Sequence, residues 1–198
     1  MSDPLAPVRA ALDAARDRSS DFDLSPDAAP PAGRRLRPAG VLVAIRPRAR
    51  GAADLFLTKR SSALRHHPGQ IAFPGGKQDP GDPDVTAAAL REAREEIGLD
   101  PGNVSLLGHL PPHETVTGFL VTPVVAEVLG DFDPVAEPGE VEEVFGVPLL
   151  HVLETVNYRI ESRRWRGTRR HYYAVPFGPY YIWGATARIL RGMAEAAR

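Results

Sequence analysis

Residues 75–99 read GGKQDPGDPDVTAAALREAREEIGL. The first ten of these are turn chemistry, and the remainder is helical in composition. Asp82 suits an N-cap and Pro83 the first helical position. Gly98 offers a left-handed stop after Ile97. The stretch therefore predicts a helix over 83–97, entered from one loop and left through another. At about 100° per residue, Glu92, Glu95 and Glu96 fall within an arc of about 100°. Leu90, Ile97, Thr86 and Ala93 take the neighbouring arc, which faces a core. The acids thus stand at the rim of the buried face.

Such a helix is not arranged for stability alone. Like charges at i, i+4 cost roughly 0.2–0.5 kcal/mol, and the helix dipole disfavours anions near its C-terminal end. A hard divalent cation reverses both terms, because Mg²⁺ seeks carboxylate oxygens and becomes the largest charge in its site. The plainer alternative is a solvated acidic face balanced by Arg91 and Arg94. Pro74, Gly75 and Gly76 just upstream weigh against it, since a Gly-Gly backbone can turn sharply and approach a ligand closely.

Outward from this unit the chain alternates strands and helices. Apolar runs at 40–45, 54–60, 104–110 and 118–129 read as strands. Residues 70–73 read as extended, and the 118–129 run is long enough to bend near Pro123. Leu5, Val8, Leu12 and Ala15 have helical spacing, as do Ile189, Leu190 and Met193. Residues 130–143 read as an acidic loop, 147–154 as a short helix, and 158–177 as a hairpin turning at Gly167. Residues 1–38 are expected to form an N-terminal helix and linker arm, with one domain over 39–198.

Composition narrows the classes. The net charge of −1 gives no reason to expect nucleic acid or an anionic membrane as partner. There is no cysteine, which removes disulfides, thiolate nucleophiles and cysteine-ligated metals. No apolar run reaches the roughly 18–20 residues of a membrane span, and the N-terminus lacks a signal pattern. The expectation is a cytoplasmic protein, monomer or homodimer, acting on a small molecule.

Gly76, five residues, Asp82, eight residues and then Arg91-Glu92-Ala93-Arg94-Glu95-Glu96-Ile97-Gly98-Leu99 closely resemble the Nudix box. The second half matches at every position. The first half departs: aspartate stands where glutamate is usual, and one extra residue precedes Arg91. Upstream, Leu57, Thr58, Arg60, Ser61, Arg65, Gly69, Phe73, Pro74, Gly75 and Gly76 resemble the signature of the coenzyme A diphosphatase branch, with Phe56 in place of the common leucine. EVEEVFGVPL (140–149) and IWGATARIL (182–190) look like further parts of that branch.

The resemblance implies an α/β fold, a mixed β-sheet sandwiched between helices, with a loop–helix–loop catalytic motif. It implies hydrolysis of coenzyme A or a derivative to 4′-phosphopantetheine and 3′,5′-ADP with Mg²⁺ or Mn²⁺. Glu92 and Glu96 would be primary metal ligands, and Glu95 a ligand of the same or a second ion. Arg91 would orient the acids. Arg60 and Arg65 would grip phosphate, with Ser61, Gly75 and Gly76 also against the substrate. A general base is sought among Glu140 and Glu143 first, then Glu142 and Glu114. His66 and His67 could touch phosphate, and Trp165, Tyr172, Tyr173 and Trp183 could stack adenine, although packing explains each of them as well. The alternatives are another nucleoside diphosphate derivative, such as ADP-ribose or NADH, and a non-catalytic module binding a nucleotide or acyl-CoA.

Overall fold

The computed structural model describes residues 3–30, 33–64, 67–165 and 167–198. Arg65 and His66 lie outside the described residues, as does the side chain of Trp165. In chain order the elements are α1 (Ala6–Ala14), β1 (Ser19–Ser20), β2 (Arg37–Pro47), β3 (Ala53–Arg60), β4 (Ile71–Ala72), β5 (Gly75–Lys77) and α2 (Val85–Ile97). They continue with β6 (Val104–His109), β7 (His113–Glu114), β8 (Phe119–Val128), β9 (Val141–Pro148), α3 (Leu149–Leu153), β10 (Arg159–Trp165), β11 (Thr168–Ala174) and α4 (Ala185–Ala196).

β2 and β8 are the central strands, and their runs are apolar because both faces are covered. Along β2, Val43 and Ile45 enter one core while Leu42 and Ala44 enter the other. In β3, Leu55 and Leu57 are divided from Phe56 in the same way, as the two-residue period of a strand requires. One core is closed by Ala89, Ala93 and Ile97 of α2. The other is closed by α1, α3 and α4 through Val8, Val152 and Leu190. The result is a helix–sheet–helix sandwich.

The main sheet runs β1-β7-β8-β2-β3-β4, with β5 joined to β2, β6 to β8 and β9 to β3. β2 and β8 are parallel from Arg37↔Phe119 to Ile45↔Glu127, and the register continues through Pro123. The register shift in the β6–β8 pairing falls between Leu106 and Gly108 of β6. β10 and β11 form a separate antiparallel ribbon closing at Trp165↔Thr168.

Two close approaches position the functional half. A Cβ at Gly40 of β2 would stand 2.0 Å from the Val85 carbonyl oxygen, so α2 begins in contact with bare strand backbone. Thr186, buried at the start of α4, donates from Oγ1 to the Ile71 carbonyl at 3.1 Å. The IWGAT segment thereby fastens α4 behind β4, directly before Pro74-Gly75-Gly76. The N-terminal arm is fastened too. β1 pairs in parallel with β7. His113, fully buried, contacts Ser19 Oγ through Nδ1 (2.9 Å) and Asp21 Oδ1 through Nε2 (3.1 Å).

Candidate active site

Helix α2 starts two residues later than its sequence suggests, because Asp84 is the cap. Its side chain accepts from the Ala87 amide at 2.8 Å, and its backbone is extended. Asp82 is freed for a different task. It accepts from the Asp79 amide (2.9 Å) and from Arg91 Nε (3.1 Å) and Nη2 (3.0 Å). Arg91 Nη1 then reaches Glu92 Oε1 and Glu95 Oε2, both at 3.0 Å. This planar fork fixes the first acid of the helix from the loop side. The Arg91 hydrogen bond holds the Asp82 carboxyl below its ordinary range. Gly98 closes α2 at φ 72°, as its sequence position requires.

The glycines of 75–76 are more than turn residues. The Gly75 amide donates to Glu96 Oε2 at 2.9 Å. A Cβ at Gly75 would meet the Gly40 carbonyl oxygen at 2.5 Å, and its φ of +147° disfavours any side chain. A Cβ at Gly76 would lie 2.5 Å from Glu92 Oε1. Both carboxylates thus sit directly against this strand.

Glu92, Glu96 and Glu140 each offer an oxygen within 4.8 Å of the other two. Glu96 is 4% exposed, and burial pushes its carboxyl up to about 7, with the Gly75 hydrogen bond opposing and the neighbouring Glu92 adding to the rise. Burial also raises Glu92, against the pull of Arg91. Glu140 arrives from the segment that runs past the end of α2 into β9. Its carbonyl accepts from the Ser61 amide at 2.8 Å, and Glu137 is tied through its amide to the Glu96 carbonyl. Ser61, buried at the end of β3, therefore anchors Glu140, a backbone task that its sequence position alone does not reveal.

The remaining expected residues separate. Glu95 is not in the cluster; its exposed carboxylate lies on Arg91. Glu142 and Glu143 are not loop residues, because β9 begins at Val141 and pairs with β3. Glu142 binds Lys59 Nζ at 2.6 Å, and Glu143 accepts from the Tyr180 hydroxyl, whose ring stacks on Phe145. Glu114 pairs with Arg34 at 3.1 Å. Arg60 ends β3, where Arg60 and Gly69–Gln70 close the neck of the 61–69 loop, and its charge favours ionised Glu96. His67 is exposed. Tyr172 packs on Trp183 and Tyr173 lies beneath Arg188 and Arg191, so these rings serve packing. Tyr180 and His113 give no signal in the sequence, because an isolated aromatic or histidine carries no periodicity.

Three carboxylate oxygens in one partly buried cluster suit a hard divalent cation. Comparison with known proteins agrees with this chemistry. A family profile described as the NUDIX domain matches residues 36–171. The uncharacterized Nudix hydrolase NudL of Citrobacter koseri is 42% identical over 158 residues, covering 80% of this chain and 81% of that protein. Its counterpart in an Enterobacter species is 44% identical over 140 residues, covering 71% and 73%. Among solved structures, the Nudix hydrolase RenU of M. smegmatis aligns over 60% of this chain and 74% of its own, with a TM-score of 0.50 and 24% identity, a likeness of fold.

Proposed function

The chain belongs to the Nudix family, whose members hydrolyse pyrophosphate bonds, and from that premise we propose that its substrate is coenzyme A or an acyl derivative. The support is the 56–76 stretch, whose resemblance to the coenzyme A diphosphatase signature leads directly into Gly75 and Gly76 beneath the carboxylates. The observation that carries the hydrolase reading is the Glu92–Glu96–Glu140 cluster itself.

Mg²⁺ or Mn²⁺ would be held by Glu92, Glu96 and Glu140. When bound, such an ion neutralises diphosphate charge and makes water more acidic. The chain's own residues do the positioning. Gly75 aims Glu96, Arg91 aims Glu92, and Ser61 holds Glu140 at the rim. Arg60 stands at the loop neck, where its guanidinium can take a phosphate oxygen. Water attacks one phosphorus, the bond from that phosphorus to the bridging oxygen breaks, and the bridging oxygen leaves on the other phosphate. The proton from water passes to a carboxylate, and Glu140, the exposed member of the three, is the best placed. Little covalent work is asked of the protein.

The reading is tested by turnover of coenzyme A, ADP-ribose and NADH with Mg²⁺, with products from ¹⁸O water identified by mass spectrometry. Preference for coenzyme A supports it; equal rates on all three remove the specific claim and leave the family activity.

A further inference from the structure

Between residues 159 and 170 the chain has six arginines and one glutamate, a net charge of +5, whereas the whole protein carries −1 and the remainder therefore −6. Five of these arginines, all but Arg166, which lies outside the described residues, sit on the β10–β11 ribbon. The register places Arg163 directly opposite Arg170 and Arg164 opposite Arg169. Like charges facing across a ladder are unfavourable unless an anion lies between or beside them. The ribbon's only acid, Glu161, is occupied by the Tyr181 hydroxyl at 2.9 Å. Among the described residues none of Arg159, Arg163, Arg164, Arg169 and Arg170 makes an ion pair.

A second observation falls at the same place. Among the described residues, two buried side-chain nitrogens lack a hydrogen-bond partner: Nε of Arg34 and Nε of Arg170. Both guanidinium groups lie within 6 Å of the centre of one ring, Phe22, which is itself buried. Arg34 has its other nitrogens on Glu114 and on the carbonyls of Thr115 and Val116. The acids of the adjoining turn are engaged elsewhere: Asp21 on His113 and the Val116 amide, Asp23 on Arg188. The His171 amide donates to Ser25 Oγ at 2.9 Å, which seats the turn against the ribbon. A buried donor left unpaired costs stability, and this molecule leaves two beside the same ring.

We propose that Arg170 and Arg163 of the ribbon, with Arg34 beside the same Phe22 ring, form a phosphate-binding site apart from the carboxylate cluster. Guanidinium forks suit a phosphate monoester. The phosphate has two possible sources. One is the 3′-phosphate of the substrate, an assignment that rests on the coenzyme A reading; the other is a separate anion acting on the enzyme.

The test uses the full chain, Arg170→Gln, and Arg163→Gln, which removes an exposed side chain and keeps the proposal testable should Arg170→Gln fold poorly. Melting is followed without divalent metal in added inorganic phosphate. The unaltered protein should gain about 2–4 °C, Arg170→Gln none of it, and Arg163→Gln part of it. KM is then compared for coenzyme A and dephospho-coenzyme A, which differ by the 3′-phosphate. If the substrate supplies the phosphate, the KM preference for coenzyme A, about tenfold or more, collapses toward one in Arg170→Gln. If the preference is untouched while the phosphate shift is lost, the site binds a separate anion. Should neither compound be turned over, a phosphate shift lost in the variants still upholds the site and only the coenzyme A reading falls. Equal phosphate shifts in all three proteins, with no change in KM preference, overturn the proposal and leave the two nitrogens as donors satisfied by water.

Discussion

The amide of Gly75 donates to Oε2 of Glu96 at 2.9 Å, joining β5, the strand before the helix, to the last acid on it. That bond leaves the second oxygen of a nearly buried carboxylate for the cluster. Glu96→Gln keeps an acceptor for the amide but removes the charge. Turnover should fall by at least about 10³-fold, roughly 4 kcal/mol of transition-state stabilisation, with melting of the metal-free protein unchanged or raised. Activity within about tenfold of the original would remove Glu96 from the ligand set.

The two neighbouring glycines should fail differently. Alanine at Gly76 meets the mobile end of Glu92, so Gly76→Ala should fold and lose activity, by about 10²-fold if Glu92 is displaced by an ångström. Alanine at Gly75 meets the backbone of β2, so Gly75→Ala should lose stability itself, by about 2 kcal/mol or more. Paired denaturation and kinetic measurements separate the cases; a stable, inactive Gly75→Ala would contradict the packing described.

Asp82 and Asp84 are two residues apart and have different work. Asp84→Ala removes a helix cap and should cost about 1 kcal/mol of stability with turnover little changed. Asp82→Ala releases Arg91 and should lower kcat by about tenfold or more, with a smaller effect on metal affinity. Reversed effects would show that the cap has been misplaced.

Glu140→Gln should weaken Mn²⁺ binding by calorimetry by about tenfold or more, whereas Glu95→Gln should leave it within about threefold. Equal losses would put Glu95 back among the ligands.

Metal-free protein should show a pH signature. Glu96 has a folded value of about 7 against 4.5 ordinarily, so it holds its proton more tightly folded than unfolded. Its favourable contribution is whole below pH 4.5 and is lost as pH rises toward 7. Stability should therefore decline from pH 5 to pH 8, by up to about 3 kcal/mol from this group, and Mg²⁺ should remove the decline. Asp82 and Glu142, both held low, act in the opposite sense only at more acid pH. A metal-free protein that grows more stable from pH 5 to 8 would contradict the burial of Glu96.

The catalytic helix was readable because its signals are local: periodic apolar residues, a run of acids and a terminal glycine. Helical spacing puts Glu92, Glu95 and Glu96 on one arc, but it does not show that Glu95 turns to Arg91 and stays out of the cluster. Glu140 was visible as one of several acids, but its selection depends on where β9 pairs with β3, a contact across some eighty residues that local pattern does not encode. The same limit separates Glu142, which binds Lys59, from Glu143, which accepts from Tyr180. Asp82 looked like a cap because Pro83 follows it; one further aspartate competes for the amides and wins. Residues 19–22 read as linker, yet Ser19, Asp21 and Phe22 are held by His113, Arg34 and Arg170, partners at distant positions in the chain.

At Gly40 the first turn of α2 rests on a peptide group with no side chain between them. Contact that close leaves nothing to compress or slide, so the sheet and the acid-bearing helix must travel as one rigid block. Entry and exit of a bulky nucleotide cannot be gated by tilting that helix. Any breathing has to come from segments outside the pair, and a methyl group added at residue 40 would lift the whole carboxylate shelf out of alignment before it touched any reacting atom.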